Sequence, residues 1–171
     1  MNCPSYESPF GATGTTDHNG PDALCLSRSH CVHPDHDTIA EFYTAVLAAI
    51  EHQAPQPAFF LARQLAELAL KALHGPHHAR THSLTGLLAS LQLQGDDLVA
   101  GGPEQNLVVA FIRDLDHIDA VGDQGRYPTT RDGAPSLATV CCADPALLRE
   151  HVDRLFRYTH ARLTAATSPA G

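Results

Sequence analysis

The segment from Ala58 to His74 constrains the fold of this chain more than any other. At about 100° per residue, Arg63, Gln64, Glu67, Lys71 and His74 share one arc, and almost everything else there is Ala, Leu or Phe. A helix that is apolar over most of its circumference must be packed on more than one side. This segment is therefore the expected central helix of a bundle. Glu67 and Lys71 make a favourable i,i+4 pair on the polar strip, and Gly75-Pro76 ends the helix.

Four further amphipathic helices are predicted around it. The first runs over residues 37–52, with Ile39, Phe42, Val46, Ala49 and Ile50 on one stripe. Asp35 or Asp37 caps its start. Another covers 83–92, with Leu84, Leu87, Leu88 and Leu91 on one face and Thr81 or Ser83 as its cap. Gly95-Asp96-Asp97 and Gly101-Gly102-Pro103 read as punctuation. A fourth helix, 103–119, has Leu107, Val108, Phe111, Ile112, Leu115 and Ile118 on its apolar side, opposite Arg113, Asp116 and His117. The last, 144–165, opens on Asp144-Pro145, an N-cap followed by proline at the first helical position. Between these two, residues 120–140 read as turns around a short extended hairpin, with Asp132-Gly133 as its tight turn. The expected fold is all-α, an antiparallel bundle of about five helices with a hairpin insertion. Residues 1–33, rich in Gly, Ser, Thr, Pro and Asn without apolar period, read as a flexible arm. Residues 34–167 form the helical domain and 168–171 a tail.

Charge narrows the partners. The 171 residues carry a formal net charge of -8 with the 12 histidines neutral, which does not advertise broad nucleic-acid binding. The asymmetry is internal: residues 1–110 hold 4 Lys/Arg against 11 Asp/Glu, while 111–171 hold 7 Arg against 8 acids. A local arginine patch toward the C-terminal end is therefore compatible with the sequence. No apolar run is long enough for a membrane span, and no basic-then-apolar leader is visible, so the cytoplasm is the expected location. The five cysteines, an odd number, argue against a disulfide framework in that setting. Bridging the neighbours Cys141 and Cys142 would be geometrically difficult.

Two stretches resemble a known superfamily. Ala66-Glu67-Leu68-Ala69-Leu70-Lys71-Ala72-Leu73, a loop, then Thr81-His82-Ser83-Leu84 and Leu87-Leu88 resemble the HEPN superfamily. Arg126-Tyr127-Pro128 followed by Asp132-Gly133 is similar to a loop that precedes the last helix in some of its bacterial members. The resemblance covers about residues 37–165. It implies a helical bundle, usually a homodimer, that cleaves RNA without a metal or binds RNA without cleaving it, in toxin–antitoxin or defence systems. An antitoxin-like protein is then a further partner. In such cleavage a ribose 2′-hydroxyl attacks the neighbouring phosphate, His moves protons, and Arg stabilises the developing charge.

The superfamily's signature is Arg, four to six residues, then His. Arg154 and His160 have that spacing, yet in a continuous helix they lie about 120° apart. Arg113 and His117 lie about 40° apart on one face but are spaced too closely. Arg113, His117, Arg126, Arg154 and His160 are thus the candidate catalytic residues. Some have a plainer reading: a solvated helix face for Arg113, Asp116 and His117, an anchored loop for Arg126. Arg126 has Asp116, Glu67 or a phosphate as its expected partner. His82 is expected to fix its loop by hydrogen bonds.

Cys25, His30, Cys31, His33 and His36 are the right ligand types for zinc, though their spacing is not that of a standard finger. No cofactor is expected otherwise, and zinc is the one candidate. Neither a phosphate-cradling loop nor a nucleophile elbow nor a dinucleotide fingerprint is present. Three readings follow: an RNA-cleaving or RNA-binding HEPN-like domain, a non-catalytic dimerisation or interaction module, and a metal- or small-molecule-dependent enzyme using the His-rich segments.

Overall fold

A computed structural model of the chain describes residues 34–75, 81–130, 132–138, 140 and 142–167. The expected arm 1–33 and tail 168–171 lie outside the described residues. The described chain is all-α, with helices α1 (Pro34–Glu51), α2 (Pro55–His74), α3 (Leu84–Leu93), α4 (Asp97–Ala100), α5 (Pro103–Ile118) and α6 (Pro145–Thr167). Helix α2 is central, as its pattern requires, and packs on α3, α5 and α6. Leu65, Leu70, Leu84, Leu87, Leu91, Leu98, Ile112, Val152 and Leu155 fill the core. Val46, with Ile39 and Ile50 at its flanks, brings α1 into the same core.

Local chemistry sets most helix ends. Pro55 and Pro57 start α2 three residues earlier than expected, because proline is tolerated in a first turn whose N–H groups lack helical partners. Ser83 caps α3 through Gly86 N–H at 3.0 Å. The Asp144 carboxylate accepts from the N–H groups of Ala146 (2.8 Å) and Leu147 (3.1 Å), as expected at the start of α6.

Three features differ from the sequence reading. The punctuation at Asp96-Asp97 is a one-turn helix, α4, because Asp96 caps it through Leu98 N–H at 2.8 Å and Leu98 plugs the core. The extended hairpin over 120–140 reduces to a single antiparallel bridge, Thr129 with Pro135, among the described residues. Proline has no N–H to extend a ladder. Helix direction also varies. Tyr43 meets Asp153, His36 meets His160, Glu104 meets Arg154 and Phe111 meets His151, so α1/α6 and α5/α6 run antiparallel. Helix α3 instead advances along α2 in the same sense, since His82 meets Glu67 whereas Leu87 and Gln94 meet His74. A short link therefore does not make this pair antiparallel.

Candidate functional site

The polar strip of α2 faces inward. The Arg63 side chain is fully buried, and Glu67 and His74 are nearly so. A buried guanidinium needs an acceptor for each edge it presents, and Arg63 finds them in three places. Its Nη1 donates to Glu67 Oε2 at 2.6 Å, Nε donates to the carbonyl of Asp119 at 3.1 Å, and Nη2 donates to the carbonyl of His82. One side chain thereby fixes two surface segments, the Thr81-His82-Ser83 turn and the loop after α5.

Glu67 is the matching acceptor. Its Oε1 takes bonds from Lys71 Nζ at 2.6 Å and from His82 Nδ1 at 2.8 Å. Burial pushes the Glu67 carboxyl up, but the bonds from Lys71, Arg63 and His82 together outweigh it and hold the group below the usual carboxylate range. An ionised carboxylate only accepts, so the hydrogen of His82 sits on Nδ1 and Nε2 is left to solvent. The His82 side chain is 75% exposed. Arg63 and Lys71 share the Glu67 carboxylate, with the buried carboxylates of Asp116 and Asp119 close by.

The loop after α5 is built to approach α2. The Asp119 carboxylate, fully buried, accepts from the N–H groups of Gly122 (2.7 Å), Asp123 (3.1 Å) and Gln124 (3.1 Å). Gly122 has φ of 84°, and a Cβ there would lie 2.8 Å from Arg63 Cζ, so both its conformation and its contact favour glycine. A Cβ on Gly125 would lie 2.9 Å from Phe60 Cβ. The loop then carries Arg126 over the Phe60 ring, 5.3 Å from its centroid, a cation–π contact. This replaces the expected pairing of Arg126 with Asp116 or Glu67. Glu67 is already saturated, and Asp116 caps α3 by accepting from Leu84 N–H and Thr85 Oγ1, both at 2.7 Å. Beyond Arg126, Tyr127 is 56% and Val121 69% exposed.

The other candidate residues do not converge on one site. Arg154 is a clasp: Nε donates to Glu104 Oε2 and Nη2 to Glu150 Oε1, each at 2.9 Å. Those bonds raise its affinity for its proton. His160 lies on the opposite side of α6, against His36 and Phe156. Arg154 thus faces α5 and His160 faces α1, as their angular separation requires. Arg113 and His117 are exposed on α5. Arg113 edges a shallow depression of about 110 Å³ with Thr85, Leu88, Ala89, Gln92 and Val99, well below the few hundred Å³ of a small-molecule pocket. Of the zinc candidates, Cys25, His30, Cys31 and His33 lie outside the described residues. Among the described residues no group of three or more His, Cys, Asp or Glu is placed to hold a metal.

Arg63, Asp119, Gly122 and Gly125 went unrecognised in the sequence as site builders. One signal was there for Arg63: a lone arginine among Ala and Leu in a helix packed on several sides needs an internal partner. The chain matches no known protein family, no curated protein and no solved structure. Among the described residues no helix is long and apolar enough to cross a membrane.

Proposed function

We propose that this is a HEPN-like RNA-binding domain whose working surface lies over α2, and that it holds single-stranded RNA there without depending on Arg154. The observation that carries this reading is the row formed above α2 by the exposed Arg126 and His82 and the part-buried Lys71. Arg126 sits at Phe60, His82 at Arg63 and Glu67, and Lys71 one turn on. From Phe60 to Lys71 is about 16 Å along the helix axis. Arginine and lysine in a line suit a phosphate backbone, the His82 Nε2 lone pair suits a ribose hydroxyl or base N–H donor, and the exposed Tyr127 ring beside them suits an unstacked base. The row is pre-organised, because Arg63 and Asp119 fix its backbone before any ligand arrives.

Fluorescence anisotropy with a labelled single-stranded RNA of about 20 nucleotides at low salt tests it. Wild type is expected to bind, with affinity falling steeply as salt rises. Tyr127→Ala and Arg126→Ala are expected to weaken binding several-fold each without lowering the melting temperature. Equal affinity in all three proteins would sink the reading.

The exposed Val121 and Tyr127 favour a second reading, a protein-recognition surface on the same loop. Tyr and Arg on a rigid support are the residue types that dominate protein interfaces, and an antitoxin-like partner or a second copy of the chain would use them. No RNA shift at low salt, together with loss of a protein complex in Tyr127→Ala, would decide for it.

A further inference from the structure

His36 on α1 and His160 on α6 face each other with ring centroids 4.4 Å apart and planes tilted by 58°. These two side chains come from opposite ends of the described chain. His160 also packs against Phe156 at 5.5 Å, and Phe156 stacks on Tyr43 at 4.0 Å. The Tyr43 hydroxyl donates to Asp153 at 2.9 Å. The platform under the two imidazoles is therefore braced across both helices. On its open side the His36 side chain is 31% exposed, and the Asp37 carboxylate lies 3.8 Å from His36 Nδ1. Thr164 Oγ1 lies 3.5 Å from His160 Nδ1.

Two imidazoles in contact satisfy each other poorly. Neutral, they share at most one hydrogen bond; both protonated, they repel. A metal ion uses a lone pair from each. With Zn–N bonds of about 2.0–2.1 Å, two nitrogens on one tetrahedral zinc stand about 3.3 Å apart and their ring centroids about 5 Å apart, so the two imidazoles, 4.4 Å apart between centroids, must turn and separate by under about 1 Å to share one ion. The Asp37 carboxylate, 3.8 Å from His36 Nδ1, adds negative charge beside the pair. Two carboxylates, Asp37 and Asp153, stand near the pair, with Arg149 and Arg157 as the cations on the Tyr43 side.

We propose that His36 and His160 form a two-histidine site for a divalent imidazole-binding metal, with Zn²⁺ as the probe. The remaining coordination positions are filled by water. Bound metal ties the start of α1 to the end of α6. This site is separate from the surface over α2 and stands without the RNA reading.

The test uses the full chain, purified without a His tag and stripped with chelator, titrated with ZnCl2 by calorimetry and followed by thermal melts. Wild type is expected to bind one Zn²⁺ per chain and to melt higher with it, because the ion binds the folded state. His160→Phe and His36→Phe keep a ring in place, so their apo melts are expected to stay close to wild type while Zn²⁺ affinity falls at least tenfold. Cys25→Ser/Cys31→Ser is expected to bind as wild type does. Mg²⁺ is expected to give no heat. The proposal is overturned if wild type gives no heat with Zn²⁺, or if both phenylalanine variants bind as wild type does. It is equally overturned if the double serine variant alone loses the metal, for then residues 1–33 hold it by themselves.

Discussion

Two arginines in this protein make ion pairs of similar length and do different things. Arg63 lies at the centre of the bundle, its side chain inaccessible and that of Glu67 7% exposed. Arg154 lies on α6, and its partners Glu104 and Glu150 are 72% and 55% exposed. Water competes for the second set of bonds and is excluded from the first. Arg63 therefore decides where two loops sit, whereas Arg154 decorates a helix pair that apolar contacts already hold together. A signature spacing on the surface helix drew attention to Arg154. The residue that organises the molecule belongs to no signature.

Removing the interior pair should have the largest effect. Arg63→Ala or Glu67→Gln is expected to cost about 3–5 kcal/mol, as breaking a buried ion pair does, read from urea denaturation at pH 7. A loss below about 1 kcal/mol would place Arg63 on a par with Arg154 and end the contrast. Asp119→Ala removes the acceptor of three backbone N–H groups and is expected to cost about 2–3 kcal/mol. In that variant amide exchange should quicken at Gly122 to Gln124 before it quickens in α2.

Gly122→Ala puts a methyl group against the buried guanidinium at a backbone angle that suits glycine, with an expected cost of about 1–3 kcal/mol. If Gly122→Ala folds as stably as wild type, the loop is not held against Arg63 as tightly as the contact distances imply.

The interior pair also predicts a pH response. The folded Glu67 carboxyl titrates below its ordinary range. Its contribution is therefore fully present above the unfolded value, about pH 4.3, and is lost as pH falls through the lower folded value. Urea midpoints should be insensitive to Glu67 between pH 5 and 8 and should drop below about pH 4.3. Glu67→Gln should show a smaller drop on that acid side. The smallest effect is expected at the surface: Arg154→Ala should leave the melting temperature within experimental error, with little difference between low and high salt. Exposed pairs of this kind contribute little and are screened.

Much of the architecture was legible in the sequence because it depends on local pattern. The apolar circumference of 58–74 identified the central helix, Asp144-Pro145 marked the start of α6, and the stripes at Leu84-Leu87-Leu88-Leu91 and Val108-Phe111-Ile112-Leu115 named core residues that are buried in the fold. The role expected of His82 as a loop anchor agrees with its bond to Glu67. The site was less legible. Arg154 and His160 share a helix and a spacing, but which neighbour each meets depends on α5 and α1, some 50 and 120 residues away in the chain.

The sequence by itself determined that the polar arc of α2 exists: Arg63, Glu67, Lys71 and His74 must share one side of any helix formed there. Only the tertiary structure decided which way that arc points. A polar strip turns to solvent unless partners wait inside. Here the partners are the carbonyls of His82, just before α3, of Leu87 on α3, and of Asp119 at the start of the glycine-bearing loop after α5. Helical periodicity sees neighbours three and four residues apart, and these acceptors come from up to 56 residues away.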